Sequence, residues 1–136
     1  MRVKVSYDSF KDDAREERRA ARLFIRAVKA DLRAVSFAAE RRIKDAMPVD
    51  TGRARASWGH WTPGDLRSLE TGASSADAAW EETDEGLTIE QGSNVEYIGA
   101  LNDGHSLQAP AGFIDAAEEA AQRAIDQRID ERLGRL

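Results

Sequence analysis

The chain contains no cysteine and only two histidines, and this scarcity removes several kinds of site at once. Without cysteine there is no disulfide framework and no thiolate that could act as a nucleophile or a metal ligand. A zinc site would need most of its ligands from carboxylates, which match zinc's usual nitrogen and sulfur ligands poorly. We therefore expect no metal and no cofactor.

Long apolar runs are also missing. The first ten residues, MRVKVSYDSF, hold no run long enough for a signal peptide. No segment approaches the roughly 20 apolar residues that cross a bilayer. We expect a protein that is made and assembled in a cytoplasm, without a membrane partner.

The charge is divided unevenly along the chain. Residues 1–58 hold 15 Lys/Arg against 9 Asp/Glu, whereas residues 59–136 hold 5 against 16, within a net charge of −5. The first part is thus +6 and the second −11. Such a division suggests that one part of the molecule meets a polyanion or the acidic part of a neighbour.

At 136 residues the chain has the size of one domain, and we treat 1–136 as a single unit. Residues 3–7 alternate apolar and polar and predict a short strand. A long helix is predicted from Asp8 to Ala46, ended by Pro48. It would be about 55–60 Å long, more than a small domain needs, so we expect part of it to pack on another chain. Its apolar stripe has helical spacing and comprises Phe24, Val28, Leu32, Val35, Ala39 and Ile43.

The side of this helix away from the apolar stripe is basic. Two interpretations stay open: a solvated charged face, or a stripe that faces DNA phosphates or an acidic partner subunit. The residues are Arg15, Arg19, Arg22, Arg26, Lys29 and Arg33.

Residues 62–85 are rich in Gly, Ser, Thr and acids with little periodicity, which predicts a long flexible loop or arm with room for one helical turn. A strand is expected at GLTIEQGS, paired antiparallel with RASWGHW. A capping box at Ser93 predicts a short helix at Val95 to Leu101. A second long helix follows Pro110 and packs against the first. The expected fold class is α+β, with two long helices packed on a small antiparallel sheet.

No catalytic motif in the sequence has the context that its chemistry requires. The segment PVDTGRARASW contains the Asp-Thr-Gly triplet of aspartic proteases, but it occurs once, after a helix stop, and arginines follow it. We interpret Pro48, Asp50, Thr51 and Gly52 as a structural turn. His105-Ser106 lacks an orienting acid, and no phosphate-binding loop is present. No catalytic residue, no cofactor-binding residue and no small-molecule substrate is indicated, so we do not expect an enzyme.

The order of these parts resembles a family. A long helix, the segment AMPVDTGRARASW, a variable stretch, a strand and then VEYIGALNDGHSLQAPAGFIDAAEEAA are similar to the neck or tail-completion proteins of long-tailed bacteriophages, the group of minor tail protein Z. The similarity covers most of the chain except residues 62–85. The motif positions of that family fall here on Pro48, Asp50, Thr51, Gly52, Arg55, Ser57, Tyr97, Asn102, Gly104 and Pro110.

The resemblance implies a structural virion protein of the phage neck, present as a homo-oligomeric ring, commonly of six copies. Its partners would be itself, the head-closure protein, and the tail terminator or tail tube protein, with genomic DNA passing through the lumen. The ring would act as a connector in head–tail joining, at the head–tail interface of the virion. The alternative is a small DNA-binding or packaging accessory protein that uses the basic face of the first helix.

Overall fold

The computed structural model describes residues 1–7, 18–47, 55, 58–61, 80–83, 86–93, 98–104 and 110–135. Four strands and three helices lie in these ranges. In chain order they are β1 (Arg2–Ser6), α1 (Arg18–Ala46), β2 (Gly59–Trp61), β3 (Trp80–Thr83), β4 (Gly86–Gly92), α2 (Ile98–Asn102) and α3 (Phe113–Leu133).

The four strands form one antiparallel sheet with β4 at its centre. β1 pairs with one edge of β4, where Val3 lies opposite Ile89. On the other edge β3 pairs with the first four residues of β4, and β2 pairs with the last three, where His60 lies opposite Gln91. Side chains alternate between the two faces of a strand, so Ile89 and Gln91, two residues apart on β4, lie on the same face of the sheet. Val3, which is paired with Ile89, lies on that buried face as well.

Both long helices pack on this sheet and against each other. α1 buries the predicted stripe from Phe24 to Ile43, because its apolar residues recur every three or four positions and so share one side of the helix. α3 buries Phe113, Ala117, Ala121, Ile125 and Ile129. The small alanines allow close approach of the two helices. Fully burying a side chain the size of Leu32 contributes about 1.5–3 kcal/mol, so these stripes dominate the stability of the fold.

The α+β arrangement of two helices on a small antiparallel sheet is therefore confirmed. The predicted strand at residues 3–7 is observed one residue earlier, and α1 ends at Ala46 as predicted. The predicted stretch of α1 before Arg18 lies outside the described residues, as does the part of the short helix before Ile98.

The prediction of a loop or arm at 62–85 with room for one helical turn is wrong at its end, because Trp80–Thr83 form strand β3 on β4. The physical reason is that β3 lacks the apolar alternation by which strands are predicted. Instead Glu82 is exposed and forms polar contacts with Tyr7 and Lys29. The remainder of that segment lies outside the described residues.

Candidate functional site

The structure describes only part of the predicted motif. Arg55, Asn102, Gly104 and Pro110 are described, and so are the side chains of four residues of the basic stripe. Outside the described residues lie Pro48, Asp50, Thr51, Gly52, Ser57, Tyr97 and Arg15, while Arg19 lies in α1 without a described side chain. The structural turn at Pro48 to Gly52 thus stays a prediction.

Arg55 holds the carboxyl-terminal end of α1. Its Nε and Nη2 donate to the Met47 carbonyl at 3.3 and 3.2 Å, and Nη2 also reaches the Asp45 carbonyl at 3.4 Å. The last carbonyls of a helix lack partners within the helix and carry partial negative charge. A guanidinium there satisfies them, so this motif residue secures the end of the helix from which the chain turns towards β2.

Asn102 and Gly104 secure the start of α3 in a similar way. Asn102 Oδ1 accepts from the Ile114 N–H at 2.9 Å, and its carbonyl accepts from the Gly112 N–H at 2.6 Å. Gly112 has no side chain that could cap α3, so Asn102 supplies the cap from α2. Gly104 has φ of 90°, a conformation that favours glycine.

Pro110 is exposed and stands at the entry to α3, three residues before its first turn. It makes no contact that suggests a binding role among the described residues. The described motif residues of the second segment therefore lie at the joint between α2 and α3.

The basic stripe is divided in two by its contacts. Lys29 Nζ forms an ion pair with Glu82 Oε2 at 2.7 Å, and the Tyr7 hydroxyl donates to Glu82 Oε1 at 3.0 Å. The hydrogen bond from Lys29 lowers the pKa of Glu82, and burial, together with the bond to Glu82, raises the pKa of Tyr7. Lys29 thus joins α1 to β3, and Glu82 balances its charge in this structure.

The other described members of the stripe face solvent. Arg22, Arg26 and Arg33 are exposed, and the Arg33 guanidinium lies over the Phe37 ring, 5.5 Å from its centroid. This distance is within the range of a cation–π contact. With the residues that the structure describes, Arg22 and Arg26 form no recorded ion pair. They are the positive charges that a partner could neutralise.

A cluster of buried polar side chains lies between α1 and the sheet, and the sequence patterns did not predict it. We call it the buried polar network, formed by Ser36, Glu40, Trp58, His60 and Gln91. Gln91 Nε2 donates to Ser36 Oγ and to the Ser36 carbonyl, both at 2.7 Å, and Trp58 Nε1 donates to Gln91 Oε1 at 3.0 Å. Ser36 Oγ lies 2.7 Å from His60 Nε2.

The imidazole of His60 is held from both sides. Its Nδ1 lies 2.7 Å from Glu40 Oε2, an ion-pair distance without the alignment of a good hydrogen bond, and neither atom has another partner in the described part of the chain. Burial lowers the pKa of His60, and this effect exceeds the opposing attraction of Glu40. A neutral His60 with its proton on Nδ1 facing Glu40 leaves Nε2 as the acceptor for the Ser36 hydroxyl.

The order serine, histidine, carboxylate resembles a nucleophile with its base and orienting acid. Access decides against that chemistry, because Ser36 is 0% and His60 2% exposed. Ser36 Oγ is also already occupied by the amide of Gln91. The network instead ties α1 to β2 and β4 by satisfying polar groups that would otherwise be unpaired in the core.

Two further contacts fix α3 in place. Arg132 Nη2 donates to Asp31 Oδ1 at 3.0 Å, Arg132 Nε donates to Asp31 Oδ2, and Arg128 reaches the same carboxylate at 3.4 Å. The hydrogen bonds from Arg132 lower the pKa of Asp31. On its other side α3 uses Gln122, whose amide accepts from Lys4 N–H at 3.1 Å and donates to Lys4 C=O at 2.8 Å. Gln122 thus occupies backbone groups that another strand could pair with on β1.

Within the described ranges, no group of three His, Asp or Glu side chains is placed to hold a metal ion. No helix in the same ranges is long and apolar enough to cross a membrane. Comparison of the chain with protein-family models, with curated proteins and with solved structures gave no match in any of the three.

Proposed function

We propose that this chain is a structural protein of the neck of a long-tailed bacteriophage, a tail-completion or head–tail joining protein. Copies form a ring, six in the usual arrangement of the resembled family, between the head-closure or portal complex and the tail tube or terminator. The genome passes through the lumen of the ring. The protein performs no chemical reaction in this role.

The observation that supports the proposal most is the position of the two motif segments in the fold. Arg55 holds the end of α1 and Asn102 holds the start of α3, so each segment secures an end of one of the two long helices. A motif that builds a scaffold is what a structural subunit needs, whereas a catalytic motif would bring reactive groups to an accessible pocket. The serine and histidine of the buried polar network are enclosed instead.

The shape of α1 gives a second line of support. Its 29 described residues extend about 43 Å, and its far side carries exposed arginines along more than two turns. A helix of this length presents a long lateral surface to a neighbour. Ring subunits need such surfaces, because each subunit contacts two others.

The proposal is tested by deleting the gene from the phage that encodes this chain. We expect lysates to contain DNA-filled heads and complete tails that are not joined, and a plasmid copy of the wild-type chain to restore joined particles. A plasmid copy carrying a stop codon early in the gene is the matched control and should not restore them. Joined, infectious particles in the deletion strain would refute the proposal.

DNA binding through the basic stripe is the second candidate, and the exposure of Arg22, Arg26 and Arg33 is the observation that favours it. Lys29 forms an ion pair with Glu82, and the stripe presents three exposed arginines among the described residues. A plot of log K against log salt concentration should then have a slope of about −3 for duplex DNA. No binding at low salt would remove this candidate.

A further inference from the structure

Opposite sides of the molecule carry opposite charges. The first side, which we call the basic flank, consists of Arg22, Arg26 and Arg33 on α1. At 100° per residue these three fall with Lys29 within an arc of about 60° around the helix. Lys29 reaches Glu82 on β3, so the basic flank lies beside the β3 edge of the sheet. Glu40 is on the same arc, but it is buried against His60 and does not offset the exposed arginines.

The second side, which we call the acidic flank, consists of Glu119, Asp126 and Asp130 on α3. All three are exposed and fall within about 80° of Gln122 around the helix. Gln122 pairs with the backbone of Lys4, so this flank lies beside the β1 edge. β1 and β3 flank β4 on opposite edges, which places the two flanks at opposite sides of the subunit.

The acidic flank also contains a recess. A groove of about 410 Å³ lies between α3 and β1. It is lined by Lys4, Ser6, Gln122, Asp126, Ile129 and Asp130. Each of the two exposed carboxylates beside this groove can accept both forked donors of one arginine. Asp126 Oδ1 accepts from Gln122 Nε2 at 3.1 Å, and within the described ranges neither Asp126 nor Asp130 forms an ion pair.

The basic flank has an apolar neighbour. Leu23 is 58% exposed, the large hydrophobic side chain that the described residues leave in solvent, and it lies between Arg22 and Arg26 in the sequence. Exposed ion pairs alone contribute little to association, whereas a buried Leu contributes more. Leu23 lies about 60° around the helix from Arg26, so a neighbour that covered the basic flank and extended past Arg26 would bury Leu23 as well.

We propose that the basic flank of one copy of this chain docks on the acidic flank of a second copy, with Arg26 and Arg33 directed at Asp126 and Asp130. The contact is heterologous: each copy uses one flank for the copy before it and the other flank for the copy after it. A symmetric contact between two basic or two acidic flanks would set like charges against each other and is disfavoured. The proposal rests on the proposed function only for the closure of the chain of contacts into a ring.

Cysteine cross-linking tests the contact directly, because the natural chain has no cysteine. Two full-length single variants, Arg26→Cys and Asp126→Cys, carry different tags and are mixed at millimolar concentration and low salt with a short bis-maleimide. We expect a cross-linked dimer containing both tags in the mixture and at most trace dimers from either variant alone. A dimer of Arg26→Cys with itself, or no dimer in the mixture, would overturn the proposal.

Charge reversal gives an independent readout by analytical ultracentrifugation. We expect Arg26→Glu/Arg33→Glu to weaken self-association on the order of tenfold, with recovery when it is mixed with Asp126→Arg/Asp130→Arg. Arg42→Glu, an exposed arginine on the other side of α1 and outside both flanks, is the matched control and should change it less than about twofold. Equal weakening by the control, or no recovery in the mixture, would contradict the assigned pairing.

The double variant Arg26→Cys/Asp126→Cys separates this proposal from the proposed function. Cross-linking should give a ladder of bands that ends at a closed ring. A ladder without an end point would support the contact between the two flanks and refute the closed ring. If the mixed variants cross-link but the protein is absent from virions, the contact between the flanks is supported and the neck function is refuted.

Discussion

Replacing Ser36 by alanine should destabilise the protein, although the same change on an exposed helix surface stabilises. Ser36 lies within α1, and alanine has the better helix propensity by about 0.5 kcal/mol. The hydroxyl accepts from Gln91 and donates to His60, each at 2.7 Å, in a site without solvent access. Helix propensity therefore predicts that Ser36→Ala raises the free energy of unfolding, whereas loss of the hydrogen bonds in the buried polar network predicts that it lowers this free energy.

The magnitude follows from which atoms lose their partners. Gln91 Nε2 keeps its bond to the Ser36 carbonyl, but its second N–H loses its acceptor, and His60 Nε2 becomes a buried acceptor without a donor. Such a group costs about 1–3 kcal/mol. After the gain in propensity is subtracted, we expect Ser36→Ala to lower the free energy of unfolding by about 0.5–2.5 kcal/mol. For a domain of this size the melting temperature should fall by about 2–9 °C.

The assay is urea unfolding followed by circular dichroism and by tryptophan fluorescence, with the slope m unchanged between wild type and variant. Ala38→Ser is the matched control, because it is the reverse change at an exposed position of the same helix and should cost about 0.5 kcal/mol or less. If Ser36→Ala were neutral or stabilising, the hydrogen bonds of the buried polar network would not contribute to stability as described.

Three further changes test other parts of the structure. Because burial lowers the pKa of His60, the unfolded chain takes up a proton first on acidification, so stability should fall as the pH drops below about 6.5. His60→Gln should flatten that dependence in calorimetry, and an unchanged dependence would argue against a buried neutral imidazole. Gly104→Ala should cost about 1–3 kcal/mol in thermal unfolding, because its φ is 90° and the new Cβ would lie 2.9 Å from Ala111 Cβ. Gly99→Ala is the control, because a Cβ there would meet nothing within 4 Å, and it should be neutral or stabilising. Equal effects of the two changes would argue against a strained turn at Gly104. Asn102→Ala should cost about 1 kcal/mol, measured by urea unfolding, because the Ile114 N–H loses its cap; no loss would show that water replaces the cap without cost.

Much of the fold could be predicted because its long elements carry periodic apolar stripes. The spacing from Phe24 to Ile43 identified α1, and the alternation of Leu87 and Ile89 identified β4. β3 was missed because its described contacts are made by a charged side chain, Glu82, and not by an apolar pattern.

The buried polar network could not be predicted, because its members are separated by tens of positions and meet only when α1 lies on the sheet. The distances Ser36 to His60 and Ser36 to Gln91 span 24 and 55 residues of sequence. One sequence pattern does indicate part of the network. Gln91 follows Leu87 and Ile89 at two-residue spacing, and this alternation places the Gln91 side chain on the buried face. A buried amide needs partners, and that requirement points to polar residues beside the apolar stripe of α1.

The described contacts of Arg55 and Asn102 show that these two motif residues can indicate a shared fold without indicating a shared ligand. Both residues hold helix ends, so their types are explained by the fold without reference to a ligand. A prediction of function from these residues therefore depends on the assembly in which the fold is used. The exposed charges of the two flanks are the feature that points outward from the subunit.

The central claim is that this chain is a subunit of the phage neck, and localisation in the virion tests it most directly. Virions carrying an epitope tag on this chain can be labelled with gold-conjugated antibody and imaged by electron microscopy. The account predicts label at the junction of head and tail, at several copies per particle. Label confined to the tail tip or the capsid surface, or purified virions that lack the chain, would contradict it.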